Sequence, residues 1–309
     1  MQATETLIVD SRVFNAPREL VFQMFTDAEH IAHWWGPRGF TTKTERMDVA
    51  PGGLWIHTMI SAEGVEYPNE VRYVEVEYPG RLVFDHLSDP LFRTTVTFTE
   101  TAPDKTEVRY EMEFATSELR DSVVKTYGAM EGLHDTLSRF EELLATQGSE
   151  ELVITREFDA PRELVYKCWT EPERLTEWWL GPGGSRLTIK HADIRPGGTM
   201  VYGMRMPDGK MVWLRWAFRD LTPPSRIVLV VSFVDEQENP LPHASAPALL
   251  ERLSTVTFEE QGGKTLMTFR SQMMYAREED RAASRTFFEG MQQGWTGLLN
   301  SLEAYLKTL

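Results

Sequence analysis

The sequence predicts an α+β protein in which one domain is written twice in tandem. Each copy is expected to be a curved antiparallel sheet of about seven strands around a long C-terminal helix, with two short helices near its start. Two observations carry this: an internal repeat spanning nearly the whole chain, and a hydrophobic period that switches from helix to strand and back to helix within each copy. Shifted by 144 residues, Arg12 to Trp35 overlies Arg156 to Trp179 with 12 identities in 24 positions, where average usage would give roughly one or two. One extra residue then enters, and Asp48, Pro51, Gly52 and Gly53 meet Asp193, Pro196, Gly197 and Gly198. Thr95 to Phe98 meets Thr255 to Phe258, and Gly132 and Leu137 meet Gly294 and Leu299. The offset widens between Arg226 and Thr255, which places an insertion at about 235–248, rich in Pro, Ala and Ser and read as a loop over one mouth of the second domain. The helix-stop glycine of Gln147-Gly148-Ser149 sets the expected domains at 1–148 and 149–309. Their linker is so short that they are expected to pack as an intramolecular pseudo-dimer.

Each copy opens on a strand, Thr6 to Phe14 or Leu152 to Phe158, rich in Ile, Val, Thr and Phe. A helix follows, with Pro17 or Pro161 suited to its first position and Glu19 or Glu163 near the positive end of its dipole. Leu20, Val21, Met24 and Phe25 recur at helical spacing, as do Leu164, Val165, Cys168 and Trp169. A second short helix carries Ile31, Trp34 and Trp35, or Leu175, Trp178 and Trp179, and ends at Gly36-Pro37 or Gly181-Pro182. The period then becomes two. In copy one, segments near 41–49, 53–60, 66–77, 81–87, 92–100 and 106–115 read as strands, and their short connections imply an antiparallel meander. Each copy closes on a long helix, marked by Val123, Tyr127, Met130, Leu137, Phe140 and Leu144, and by Phe287, Met291, Trp295, Leu298, Leu302 and Leu306. A sheet curled about such a helix leaves a gap that side chains or a ligand must fill.

Composition removes several classes. The formal net charge of −15 would repel phosphate, so neither nucleic acid nor an anionic membrane surface is an expected partner. Most of that charge lies in copy one, at −12 for residues 1–148 against −3 for the remainder. The apolar runs, such as Ile227 to Val231, fall far short of a membrane span. No basic stretch followed by an apolar run opens the chain, so no signal peptide is expected and the cytoplasm is the expected compartment. The single cysteine, Cys168, rules out an intrachain disulfide and reads as a small buried hydrophobe.

Candidate site residues follow from the strand after each Pro-Gly-Gly turn. Alternation there puts Trp55, His57 and Met59 on one face in copy one, and Met200, Tyr202 and Met204 on the matching face in copy two. That face is assigned to a cavity, with a pliable Met and aromatic lining and one polar group to orient a ligand; plain core packing is the competing reading. Trp34, Trp35, Trp178 and Trp179 either gate the cavity or hold the second helix on the sheet, and packing is favoured. Tyr127, Met130, Met291 and Trp295 are the long-helix residues expected nearest a ligand, again against a core reading. Copy two adds Trp213 and Arg215, the latter a candidate partner for a ligand carboxylate although a surface Arg is the stronger reading, with Glu251 and Arg252 near the inserted loop. His30 and His33 lack a third ligand, and nothing brings His57, His86 and Asp85 together as an acid–base group. There is no phosphate-binding glycine loop, serine elbow or Cys-His pair, so no cofactor or metal is expected and enzyme chemistry is not favoured. Copy two, with its richer aromatic set and extra loop, is the expected ligand-facing copy.

The Ala-Pro-Arg-Glu-Leu-Val helix starts at 16–21 and 160–165, Trp34-Trp35-Gly36-Pro37, the Pro-Gly-Gly turns, and Gly-Trp-Thr-Gly-Leu-Leu at 294–299 resemble one family over nearly the whole chain, twice. It is that of domains like the activator of the heat-shock protein 90 ATPase, within the START-like (SRPBCC) superfamily. Copy two departs by inserting Leu180 after its Trp pair, and copy one by Gly132-Leu133-His134 in place of Gly-Trp. The resemblance implies a helix-grip fold: seven antiparallel strands, two short helices, and a long C-terminal helix over an apolar cavity. Carriers, cyclases and chaperone regulators share it, so fold leaves activity open. The leading expectation is a binding protein for a small apolar or amphipathic ligand. The alternatives are a protein-partner module regulating a chaperone ATPase, its acidic first copy meeting a basic surface, and a cyclase- or hydrolase-type enzyme using His57 or Tyr202.

Overall fold

Each copy of the repeat builds its frame from the same few contacts, and the computed structural model describes them for residues 2–3, 6–242, 251–276 and 280–309. The chain divides into two units, Met1–Leu144 and Ala145–Leu309. In the first, β1 (Gln2–Ala3) and β2 (Leu7–Phe14) precede α1 (Arg18–Thr26) and α2 (Ala28–Ile31). The meander β3 (Thr41–Met47), β4 (Leu54–Ile60), β5 (Glu66–Glu77), β6 (Arg81–His86), β7 (Phe92–Ala102) and β8 (Lys105–Glu113) follows, then α3 (Ser117–Tyr127) and α4 (Ala129–Thr146). All pairs are antiparallel, in the order β1-β2-β8-β7-β6-β5-β4-β3. The second unit repeats the plan with β9 (Glu151–Phe158), α5 (Arg162–Thr170), α6 (Pro172–Trp178), β10 (Thr188–Ala192), β11 (Thr199–Arg205), β12 (Met211–Thr222) and β13 (Arg226–Val234). It continues through β14 (Pro240–Leu241), β15 (Glu251–Gln261), β16 (Lys264–Met273) and α7 (Arg281–Leu306). Its sheet runs β10-β11-β12-β13-β15-β16-β9, with the two-residue β14 paired to β13.

These are two tandem helix-grip domains. The Pro-Gly-Gly turns show why the sheet bends where it does. A Cβ on Gly53 would sit 2.1 Å from the Asp48 carbonyl oxygen, and one on Gly198 would sit 2.1 Å from that of Asp193, so only glycine lets the turn close. The closed turn hydrogen-bonds to the next strand, Gly52 N to Tyr73 O at 2.7 Å and Gly197 N to Phe218 O at 2.8 Å.

Pro17 and Pro161 stand at the N-cap, one residue before the first helical position that the sequence suggested. The far ends of these helices are capped by tryptophan. The indole N–H of Trp34 donates to the Met24 carbonyl at 3.1 Å, and that of Trp178 to the Cys168 carbonyl at 2.8 Å. Both carbonyls belong to the last turn, where no intrahelical donor remains. The C-terminal helices are tied to the sheet by a second repeated device. Arg12 of β2 donates to Ser138 Oγ at 2.8 Å and to the His134 carbonyl at 2.9 Å on α4; Arg156 of β9 reaches Asn300 and Glu303 on α7.

Two expectations change. The long helix of copy one is broken: Gly128 adopts φ +59°, ending α3 before α4 begins, while the matching Gly290 of copy two stays inside the continuous α7. Glycine enters the left-handed region without penalty, so helical spacing across it does not guarantee one helix. Of the insertion, residues 235–242 form a turn capped by Asp235, whose carboxylate accepts from Gln237 N and Asn239 N at 2.8 Å, followed by β14. The remainder, 243–248, lies outside the described residues.

Trp178→Phe keeps the ring bulk but orphans the Cys168 carbonyl, and is expected to lower unfolding free energy by roughly 1–3 kcal/mol, read by urea denaturation. A loss of under a few tenths would mean that the indole cap is not holding the helix end.

Candidate functional site

In the second domain, the inward rows of the sheet and α7 meet at Phe269 and Trp295 and stand apart beside that contact. Between them lies a cavity of about 580 Å³, within the range of small-molecule sites. Four indoles stand in its walls among Leu, Val, Phe and Met side chains. Trp169 of α5 lies nearly parallel to Trp295 of α7 (5.8 Å between ring centroids, 13°) and to Trp216 of β12 (6.3 Å, 16°). Trp179 stands across them, at 72° to Trp216 and 74° to Trp295. Phe269 of β16 backs Trp295 at 4.2 Å. The Trp169 indole nitrogen is buried without a hydrogen-bond partner among the described residues. Gly294 and Gly297 of α7 line the space, are themselves exposed, and would present a Cβ to open space, so the cavity opens to solvent along this side of the helix.

Among the described residues, two ionisable side chains break the apolar wall. Tyr202 of β11 is fully buried, and burial pushes its phenol well above the ordinary range, leaving a neutral hydroxyl. Arg252 begins the inward row of β15, ahead of Ser254, Val256 and Phe258. Its guanidinium lies 5.5 Å from the Phe287 ring centre and 5.9 Å from that of Phe233. Burial lowers its pKa to about 10, which leaves it protonated at neutral pH.

The first domain holds its own cavity, about 710 Å³, walled by Trp35, Phe84, Phe92 and Tyr110 but carrying more polar groups. His57 lies on Trp55 at 3.9 Å and 19°, with its Nδ1 buried and without a partner among the described residues. Burial, with His86 nearby, depresses the His57 pKa to about 3. His86 Nδ1 lies 2.9 Å from the carbonyls of Ser88 and Pro90, and its Nε2 faces the Asn69 side-chain amide at 2.8 Å. Asp85 turns away to pair with Arg93 at 2.7 Å, and that contact holds its carboxyl below the usual range. His57, His86 and Asp85 therefore do not form one group.

The structure brings together His57, Met59, Tyr202, Met204, Met291 and Trp295 as cavity-lining residues, each in its own domain. Trp55 and Met200 lie in the core just behind the lining; the Trp55 indole donates to Thr44 Oγ1 at 3.1 Å. Tyr127, 61% exposed, reaches only the rim because α3 ends there, and Met130 packs against the core outside the cavity wall. Trp34 and Trp178 are helix caps and fully buried core; their neighbours Trp35 and Trp179 face the space instead. Trp213 and Arg215 occupy the other face of β12 from Leu214, Trp216 and Phe218. There Trp213 covers Gly203, where a Cβ would meet its ring at 2.9 Å, and Arg215 lies 3.8 Å from Glu251. The cavity arginine is Arg252. Among the described residues no group of three or more His, Cys, Asp or Glu is placed to hold a metal, and no helix is long and apolar enough to cross a membrane.

The family model for the activator of Hsp90 ATPase homolog 1-like protein matches residues 15–145 and again 159–307. The chain belongs to this family. Each match begins just after the opening strand and takes in the leading helices, the rest of the sheet and the C-terminal helix, so both units are family domains. No curated protein matches the chain. Among solved structures it is similar to protein Ms6760 from Mycobacterium smegmatis, at 26% identity over 51% of this chain and 91% of that one, with a TM-score of 0.43. A protein from Arthrobacter aurescens gives 25% identity over 53% and 93%, with a TM-score of 0.44. The di-domain ARO/CYC BexL from the BE-7585A biosynthetic pathway gives 14% identity over 97% and 98%, with a TM-score of 0.42.

Neutral His57 makes a pH prediction. An unfolded histidine gains its proton near 6.5 and the folded one only near 3, so the stabilisation is whole above pH 6.5 and is lost as pH falls through that window. The unfolding free energy is expected to fall by up to about 1.4 kcal/mol more per pH unit in wild type than in His57→Phe, which keeps a ring on Trp55. Urea unfolding across this range checks it; parallel curves would show that His57 titrates normally.

Proposed function

We propose that the second domain binds a small, flat and largely apolar molecule in the cavity between α7 and the sheet. One observation carries the reading: a space of about 580 Å³ walled by Trp169, Trp179, Trp216 and Trp295, with an open side. An interior evolved only for stability closes such space, because unfilled volume forfeits dispersion contacts. Here helix α7 instead places Gly294 and Gly297 at the rim, residues that disfavour a helix by about 1 kcal/mol each relative to alanine. The parallel indoles suit a planar guest, which would gain area burial and offset stacking together. The generic binding role fits the family, whose fold leaves the guest undefined.

A blocking substitution at the rim tests this without touching the core. Gly297→Leu adds a side chain over the opening and improves helix propensity. It is expected to keep or raise the melting temperature while cutting affinity for the neutral probe N-phenyl-1-naphthylamine at least about ten-fold, read by probe fluorescence and tryptophan quenching. Unchanged binding in a folded variant would place the probe elsewhere and refute the assignment.

A further inference from the structure

The second-domain cavity is lined, among the described residues, by one cation and by no anion to match it. Among the described residues, Arg252 forms no ion pair or hydrogen bond; its Nε is buried without a partner, and Tyr202 is the one ionisable group acting on it. The adjacent acid, Glu251, points to the other face of the strand, toward Arg215. Among the described residues, Arg252 faces the rings of Phe233 and Phe287 and the cavity itself. The Nε is withdrawn from water while the residue as a whole stays partly exposed, and a cation so placed without a counter-ion is destabilising unless something else offsets it.

The two copies differ at this position. At the repeat offset that aligns Thr95 to Phe98 with Thr255 to Phe258, Arg252 corresponds to Phe92, which lines the first cavity and stacks on His86 at 4.6 Å and 12°. The fold therefore accepts a ring at this position, and the cation is a feature of the second domain alone.

We propose that Arg252 selects the ligand's charge: the second domain takes a monoanionic organic acid, its flat apolar body among the indoles and its carboxylate, or an equivalent oxyanion, on the guanidinium. This rests on the cavity reading above. Arginine suits the task because its planar fork matches two oxygens at once and its hydration is weak. One guanidinium in an apolar wall balances one negative charge, whereas a phosphate dianion would bring an uncompensated second charge into low dielectric.

The test uses two dyes that share a skeleton and differ by one anionic group, N-phenyl-1-naphthylamine and 8-anilinonaphthalene-1-sulfonate, titrated against the full chain at neutral pH. Wild type is expected to prefer the sulfonate. Arg252→Gln should weaken sulfonate binding about ten-fold or more and leave the neutral dye within about two-fold, with Arg252→Lys between. Because it removes an unpaired cation, Arg252→Gln should also keep or raise the melting temperature, the opposite of what a structural arginine would show. If the neutral dye binds, Gly297→Leu blocks it, and the sulfonate ignores Arg252, the charge assignment is wrong and the cavity stands. If neither dye binds, or Gly297→Leu releases neither, both proposals fall.

Discussion

The tilted contact of Trp295 on Phe269 sets how far α7 stands from its sheet. Their centroids are 4.2 Å apart, and Trp169 takes the next place, nearly parallel to Trp295 at 5.8 Å. Indole rings are rigid and wide, so they prop the helix rather than collapse beneath it. Where α7 could have filled the remaining space it carries Gly294 and Gly297. Hollow volume is thus a product of side-chain shape, not of a missing element, and every functional statement about the second domain depends on it.

Around that hollow, the two copies keep a shared frame and differ in content. Arg12 and Arg156 both tie the first strand to the C-terminal helix, and Trp34 and Trp178 both cap the first helix. Thr106 and Thr265, at matching positions, donate to the carbonyls of Ala16 and Ala160 at 2.8 and 2.7 Å. Inside, His57 stands where copy two has Tyr202, and Phe92 where it has Arg252. Frame contacts are coupled to folding and resist change, whereas wall residues exchange at small cost if volume is preserved. A duplicated domain can in this way hold two different interiors.

Much of this was legible in the residues. The Pro-Gly-Gly turns and period-two runs located the meander strands to within one or two positions, because turn chemistry and burial reinforce each other there. Alternation from each turn also put His57, Met59, Tyr202 and Met204 on the cavity side. The Trp pairs were harder: adjacent residues in a short helix face different ways, and which of Trp34 and Trp35 would cap a carbonyl depends on where α1 ends in space. Arg215 drew attention because tryptophans flank it, yet Leu214, Trp216 and Phe218 form the more apolar row of β12 and mark the inner face. The same count applied to β15 aligns Arg252 with Val256 and Phe258, a signal present in the sequence but dependent on knowing that the strand begins at Glu251. The break at Gly128 was not legible, since the matching Gly290 stays helical.

Xenon diffraction addresses the hollow interior most directly. In crystals of the full chain under xenon pressure, the noble gas, which enters apolar space without needing a specific partner, should occupy the region bounded by Trp216, Trp295 and Phe269. Density showing Met204, Met291 and Leu298 packed into that region, with no xenon there, would contradict a cavity held open by its rings.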